Sequence, residues 1–261
     1  MTALNEFLEV HTLILPKAGL KRSECEDSIG TRSSVQRFCV ADGATEAFDS
    51  RRWARLLTKH WVLSNRSLLT REELRPWLSA LGERFRAHWA KKTLPWYAAE
   101  KARAGAFAAF LGLGFFASGE SISWQAIAIG DSCLIHTRAE RMRSSFPISD
   151  PSHFGCHPIL VPSNDARLDA VIDQVVIRDG RARVGDGFLI LTDAIAAWYL
   201  QALNTSPHLA HEFDAYLAAG NDHSLETLIR RCRNSGSLRN DDVAVIRIAI
   251  KNSVRRRSVL R

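Results

Sequence analysis

The 261-residue sequence has no apolar run long enough to suggest a membrane span. Its longest uncharged stretch, Ala104 to Gly119, is shorter than the ~20 residues a helix needs to cross a bilayer. No basic lead-in precedes the first apolar stretch, which carries Glu6 and Glu9 within it, so a secretory leader is not expected. Cysteine is sparse and odd in number: five scattered residues argue against a disulfide framework and for a reduced compartment. These absences predict a cytoplasmic protein with no membrane partner. No internal repeat and no linker cuts the chain. No basic-aromatic recognition module accompanies the formal charge of +7, so specific nucleic-acid binding is not expected. Part of that charge sits in the acid-free stretch KNSVRRRSVLR, residues 251–261, which reads as a solvated basic tail. An anionic substrate such as a phosphoprotein fits the same excess.

What the sequence does contain is ordinary globular material, 46% hydrophobic and 24% charged. EFLEVHTLIL reads as a strand, followed by a polar loop holding Arg22 and Asp27 and then a strand ending at Asp42. Residues 46–64 and 71–92 have helical spacing, with Thr70 and Glu73 set as a capping box. Trp53, Trp61, Trp77 and Trp89 on these helices are core anchors by type and spacing. GAFAAFLGLGFF and SISWQAIAIG predict a pair of adjacent strands, and CLIHTR reads as continuing the same sheet after a turn at Gly130 and Asp131. Residues 145–170 are irregular and proline-rich, the pattern of a functional or mobile loop. Two strands, two or three helices within 193–234, and a last strand, DVAVIRIAI, complete the chain. The expectation is a single α+β domain over residues 1–250.

Five aspartates lie at the edges of apolar runs or in the loop before one. They are Asp27 in ECEDSIG, Asp42 in VADG, Asp131 in AIGDS, Asp193 in LILTDA and Asp241 in RNDDVAVI. Any one alone is best read as a cap or turn residue. Five at strand ends can converge, and carboxylates at close range repel unless a cation neutralises them. All-oxygen ligation selects a hard ion, Mg²⁺ or Mn²⁺. Two such ions suit displacement at phosphorus.

In order and spacing, RSECED, VADG, GDS, LTD and NDDVAVI resemble the motif series of the metal-dependent protein phosphatase 2C family, from about residue 20 to 250. The resemblance implies a four-layer α-β-β-α sandwich, two antiparallel sheets flanked by helix pairs, with a two-metal site at one end. It implies Asp42 as the bridging ligand, the Gly43 carbonyl on one of the same ions, and Asp193 and Asp241 on the ion nearer the last strands. Glu26 and Asp27 resemble the acidic pair that binds metal-bound waters, and Asp131 the ligand of a third, weaker site. Arg22 matches an arginine that grips substrate phosphate, and residues 145–170 correspond to a flap. The implied activity is hydrolysis of phosphoserine or phosphothreonine in a protein by a metal-bridged hydroxide, with a serine/threonine kinase or its target as partner. The alternative is a catalytically weak relative that binds and regulates a kinase or phosphoprotein.

The sequence departs from the family pattern at three small residues. Ala194 replaces a usual glycine, which would cost ~1 kcal/mol if that position needed positive φ. Ala197 replaces an acidic residue, and Ala44 stands where some members carry histidine. Asp242 stands where asparagine is commonest. His153, Cys156 and His157 could suggest zinc, but a structural site needs about four ligands and no second pair lies nearby. Cys25 and Cys133 read as buried small hydrophobes rather than redox switches.

Overall fold

The computed structural model describes residues 8–64, 70–118, 121–139, 141–155 and 158–251. In chain order the first half runs β1 (Leu8–Leu15), β2 (Ser28–Arg32), β3 (Arg37–Gly43), α1 (Ser50–Leu63), α2 (Arg71–Trp89), α3 (Trp96–Ala104), β4 (Phe107–Ser118) and β5 (Ser121–Ile129). The second half runs β6 (Cys133–Arg138), β7 (Arg141–Phe146), β8 (Val161–Pro162), α4 (Leu168–Ile172), β9 (Val176–Ala182) and β10 (Asp186–Leu191). It ends with α5 (Asp193–Thr205), α6 (Pro207–Ala219), α7 (Asp222–Asn234) and β11 (Val243–Ile250).

The strands form two antiparallel sheets. The first has the order β1-β11-β10-β6-β7, and the second β2-β3-β4-β5-β9, with the two-residue β8 added to β4. Period-two alternation gives each central strand two buried faces. In β3, Phe38 and Val40 face the other sheet, whereas Cys39 and Ala41 face helices. In β10, Phe188 and Ile190 face inward and Leu189 and Leu191 outward. Three hydrophobic cores result, one for each interface between four layers. Phe38, Val40, Leu111 and Leu113 meet Phe188, Ile190, Ala244 and Ile246 between the sheets. Trp53, Leu57, Leu74 and Leu78 cover the second sheet, while Trp198, Phe213 and Leu228 from α5, α6 and α7 cover the first. The α-β-β-α layering is therefore present.

The capping box forms as expected: Glu73 N–H donates to Thr70 Oγ1 and Thr70 N–H to the Glu73 carboxylate, each at 3.3 Å. Trp53 and Trp61 are fully enclosed, and Trp77 and Trp89 pack at the edge of the same core. One expectation fails. CLIHTR does not continue the sheet of β4 and β5; it is β6 and pairs with β10 and β7 in the other sheet. The turn at Gly130 and Asp131 steps across the sandwich. Gly130 takes φ +99°, and a Cβ there would stand 2.6 Å from Ala109 Cβ, so glycine alone fits this crossing. Strand β2 lies in what reads as polar loop, because SIGTR is too short and mixed to show alternation. Helix α3 was likewise not anticipated.

Candidate active site

Antiparallel register gathers the acidic residues at one end of the sandwich. Ser28 pairs with Ala41, so the next residues beyond that pair are Asp27 and Asp42. Leu191 pairs with Val245 on one side and Cys133 on the other, which brings Asp193, Asp241 and Asp131 to the same end. By alternation Asp42 follows Phe38 and Val40 on the inner face of its strand, so its carboxylate turns toward the other sheet.

Asp42, Asp131 and Asp193 line a cavity of about 180 Å³ together with Ala44, Ala109, Gly155, Pro158, Leu160 and Arg239. A second cavity of about 320 Å³ shares Asp131 and Pro158 and continues past Ile129, Ile148 and Ile159. Burial, reinforced by Asp27, Asp193 and Asp131, holds the Asp42 carboxyl well above the usual range. Burial also raises Asp27, where Asp242 and Asp193 add to it against the hydrogen bond from Thr192. Asp131 is pushed up to about 6 by burial and by Asp193. These mutual effects place the five carboxylates within one another's field.

Each remaining predicted residue has a definite place. Gly43 closes β3, and a Cβ there would meet the Ser50 backbone at 2.8 Å, so its lack of a side chain lets α1 start against the strand. Glu26 pairs with Lys17 at 3.9 Å, and its N–H donates to Asp242 at 2.7 Å. Arg22 opens a 3₁₀ turn, Arg22–Glu24, is exposed, and does not line the cavity. Of the flap-like segment, Gly155, Pro158 and Leu160 reach the cavity wall. Ala194 is buried in the first turn of α5, outside the set of residues with positive φ, so the glycine it replaces is not needed there. Cys25 and Cys133 are buried free thiols, Cys133 pushed up to about 12 by burial, and neither is a thiolate at neutral pH. Of the zinc-like trio, His153 is exposed, and Cys156 and His157 lie outside the described residues.

Three contributors escaped the sequence reading. Thr192 Oγ1 donates to Asp27 Oδ2 at 2.9 Å while accepting the Ala244 N–H at 2.9 Å, tying β2 to β10 and β11. Asp242 accepts the N–H groups of Lys17 and Glu26, both at 2.7 Å, and so fixes the loops that carry the acidic pair. Arg239 pairs with Asp193 and, at 3.1 Å, with Asp241. The sequence signal for Arg239 was its position two residues before Asp241, which shows proximity but not direction.

The chain matches the protein phosphatase 2C family model over residues 20–232, a span that includes Asp27, Asp42, Asp131 and Asp193. It belongs to the protein phosphatase 2C family. Solved serine/threonine phosphatase structures share its architecture. The catalytic domain of the serine/threonine phosphatase PstP in complex with 2 manganese ions has TM-score 0.61 at 14% identity, covering 94% of this chain and 99% of that one. The Mycobacterium tuberculosis phosphatase PstP/Ppp matches at 15% identity with the same TM-score of 0.61, over 94% and 99% of the two chains. Stp1 from Staphylococcus aureus matches at 15% identity, TM-score 0.58, over 94% and 96%. At such identities the likeness establishes the fold. A search of curated protein sequences finds no match.

The donor set suits a hard divalent cation in kind: it is all oxygen and anionic, and no donor among the described residues reaches the Asp42 carboxylate. Among the described residues no three carboxylate, imidazole or thiol side chains are drawn around one point. Between Asp193 and Asp241 stands the Arg239 guanidinium.

Proposed function

We propose that this phosphatase 2C member is a Mg²⁺- or Mn²⁺-dependent protein serine/threonine phosphatase of the cytoplasm. The supporting observation is that Asp42, Asp131 and Asp193, from two sheets and the turn between them, line one small cavity, with Asp27 and Asp241 close enough to act on the Asp42 carboxyl. Asp42, buried among like charges with no donor in reach among the described residues, is unfavourable as a carboxylate unless a cation completes it. Asp42 would bridge two ions with the Gly43 carbonyl beside it, and Asp193 and Asp241 would hold the ion nearer β11. Glu26 and Asp27 would orient coordinated waters, and Asp131 would hold a third, weaker ion. Bound there, such ions lower the pKa of water and neutralise charge developing on phosphoryl oxygens.

The chain's own residues do the positioning. Thr192 holds Asp27 at its station, and Asp242 holds the backbone of the Glu26 loop. Arg22, exposed on the turn leading to Asp27, is assigned to substrate outside the cavity. A phosphorylated protein, a kinase or a kinase target, is the partner this reading implies.

Hydrolysis of a phosphothreonine peptide tests it. Purified protein should turn the peptide over with Mn²⁺ and not with EDTA. Asp42→Asn and Asp193→Asn should each lose at least about a hundredfold in kcat while remaining folded by circular dichroism. Near-normal Mn²⁺-dependent turnover in either variant would remove the site assignment.

A further inference from the structure

We propose that Arg239 is a substrate-phosphate residue held in reserve: it stands in the place of a divalent cation between Asp193 and Asp241, and the cation enters by releasing it toward the phosphate. The inference rests on the phosphatase reading above. Its first support is geometric. The same guanidinium nitrogen, Nη2, contacts Oδ2 of Asp193 and Oδ2 of Asp241, the two carboxylates assigned to one ion. One guanidinium NH₂ group lying between two carboxylates stands where a cation shared by them would stand.

The second support is how loosely this arginine is otherwise held. Its side chain is 52% exposed, and among the described residues its side-chain partners are those two aspartates alone. Arg233, nearby on α7, is the contrast. Its guanidinium is partly buried and donates to the carbonyls of Pro16 at 3.0 Å and Asp241 at 2.5 Å, so it clamps the loop backbone. One arginine therefore holds the loop while the other is attached only through side-chain charge.

The third support is charge and place. Among the described residues, Arg239 is the one basic side chain lining the cavity with Asp42, Asp131 and Asp193. A compact divalent ion carries twice the charge of a guanidinium that spreads its charge over three nitrogens, so it outcompetes the arginine for two carboxylates. Once the aspartates neutralise the metal, the freed guanidinium has a phosphate dianion as its natural partner, held through parallel hydrogen bonds. Metal and phosphate then become linked, each favouring the state in which Arg239 has left the aspartates.

The experiment is Mn²⁺ titration by calorimetry on wild type, Arg239→Gln and Asp193→Asn, with and without inorganic phosphate, beside steady-state kinetics on a phosphothreonine peptide. Arg239→Gln removes the competing charge, so it should bind Mn²⁺ up to about fivefold tighter, the scale of one partly exposed ion pair. The same variant should show KM raised about tenfold, and phosphate should tighten Mn²⁺ binding less than in wild type. Tighter metal with weaker substrate is a split that loss of packing alone would not produce. Equal or weaker Mn²⁺ binding in folded Arg239→Gln, with Asp193→Asn still impaired, overturns this proposal and leaves the metal site standing. An unchanged KM overturns the phosphate role. Normal Mn²⁺ binding in Asp193→Asn would instead remove the metal assignment, and this inference with it.

Discussion

Asp131 shows how a single carboxyl can set the stability of the whole chain. Burial and Asp193 push it up to about 6, and Asp27 and Asp42 are raised by the same causes. With a cation withheld, the folded chain keeps protons that the unfolded chain releases near pH 4. Folding is then favoured most below that value, and the advantage is lost as pH rises through 6. Glu9 and Asp169, lowered by hydrogen bonds from Arg247 and Arg75, finish titrating below this window and do not mask it. EDTA-treated protein should therefore be more stable to urea at pH 5 than at pH 7.5. Asp131→Asn should recover part of the difference at pH 7.5, on the order of 3 kcal/mol at most. A stability that rises from pH 5 to 7.5 in EDTA would contradict the crowding of these carboxylates.

At the scale of elements, the cavity wall depends on a strand of two residues. Strand β8 pairs with β4 only through Phe107–Pro162 and Ala108–Val161. Its hold on the helical layer is Trp53 of α1, whose Nε1–H donates to the Val161 carbonyl at 2.9 Å from a fully buried ring. Arg86 of α2 adds a bond to the Ser163 carbonyl at 2.8 Å. Leu160, which lines the cavity, immediately precedes this anchor. Trp53→Phe keeps most of the volume but removes the indole donor to the Val161 carbonyl, leaving the strand pairing to hold β8, so it should cost about 1–3 kcal/mol in urea denaturation. Amide exchange should accelerate across residues 158–163 more than across β10. Uniform acceleration would mean that Trp53 serves the core at large.

The whole molecule brings the site together across a seam. Asp42 comes from the second sheet, Asp193 and Asp241 from the end of the first, and Asp131 from the turn that crosses between them. Under the proposed function, a cation bound among them would tie both sheets and would bind only the folded chain. Mn²⁺ at about a hundred times its Kd should add about 2.7 kcal/mol, several degrees in melting temperature for a chain of this size. In Asp42→Asn the shift should fall to the residual binding of the first sheet's carboxylates. An equal shift in that variant would place the cation elsewhere.

The sequence by itself determined a single α+β domain and five of the acidic positions, because both are local, while the two-sheet sandwich was implied only by the family resemblance. The continuous apolar runs of β3, β10 and β11 and the run-to-turn edges at Asp42 and Asp193 are written in consecutive residues. The helical spacing of α1 and α2 and the Thr70 cap are equally local. What only the tertiary structure decided is the partner of each group. A turn at Gly130 and Asp131 looks the same in sequence whether it returns to its own sheet or crosses to the other, and only packing sends β6 to β10. Thr192 meets Asp27 across 165 residues, and Asp242 meets Lys17 across 225. Arg239 turns toward Asp193 and not toward solvent because the folded chain leaves two carboxylates within its reach. Short-range pattern records which face is apolar; charge pairing is set by distances that exist only once the sheets have stacked.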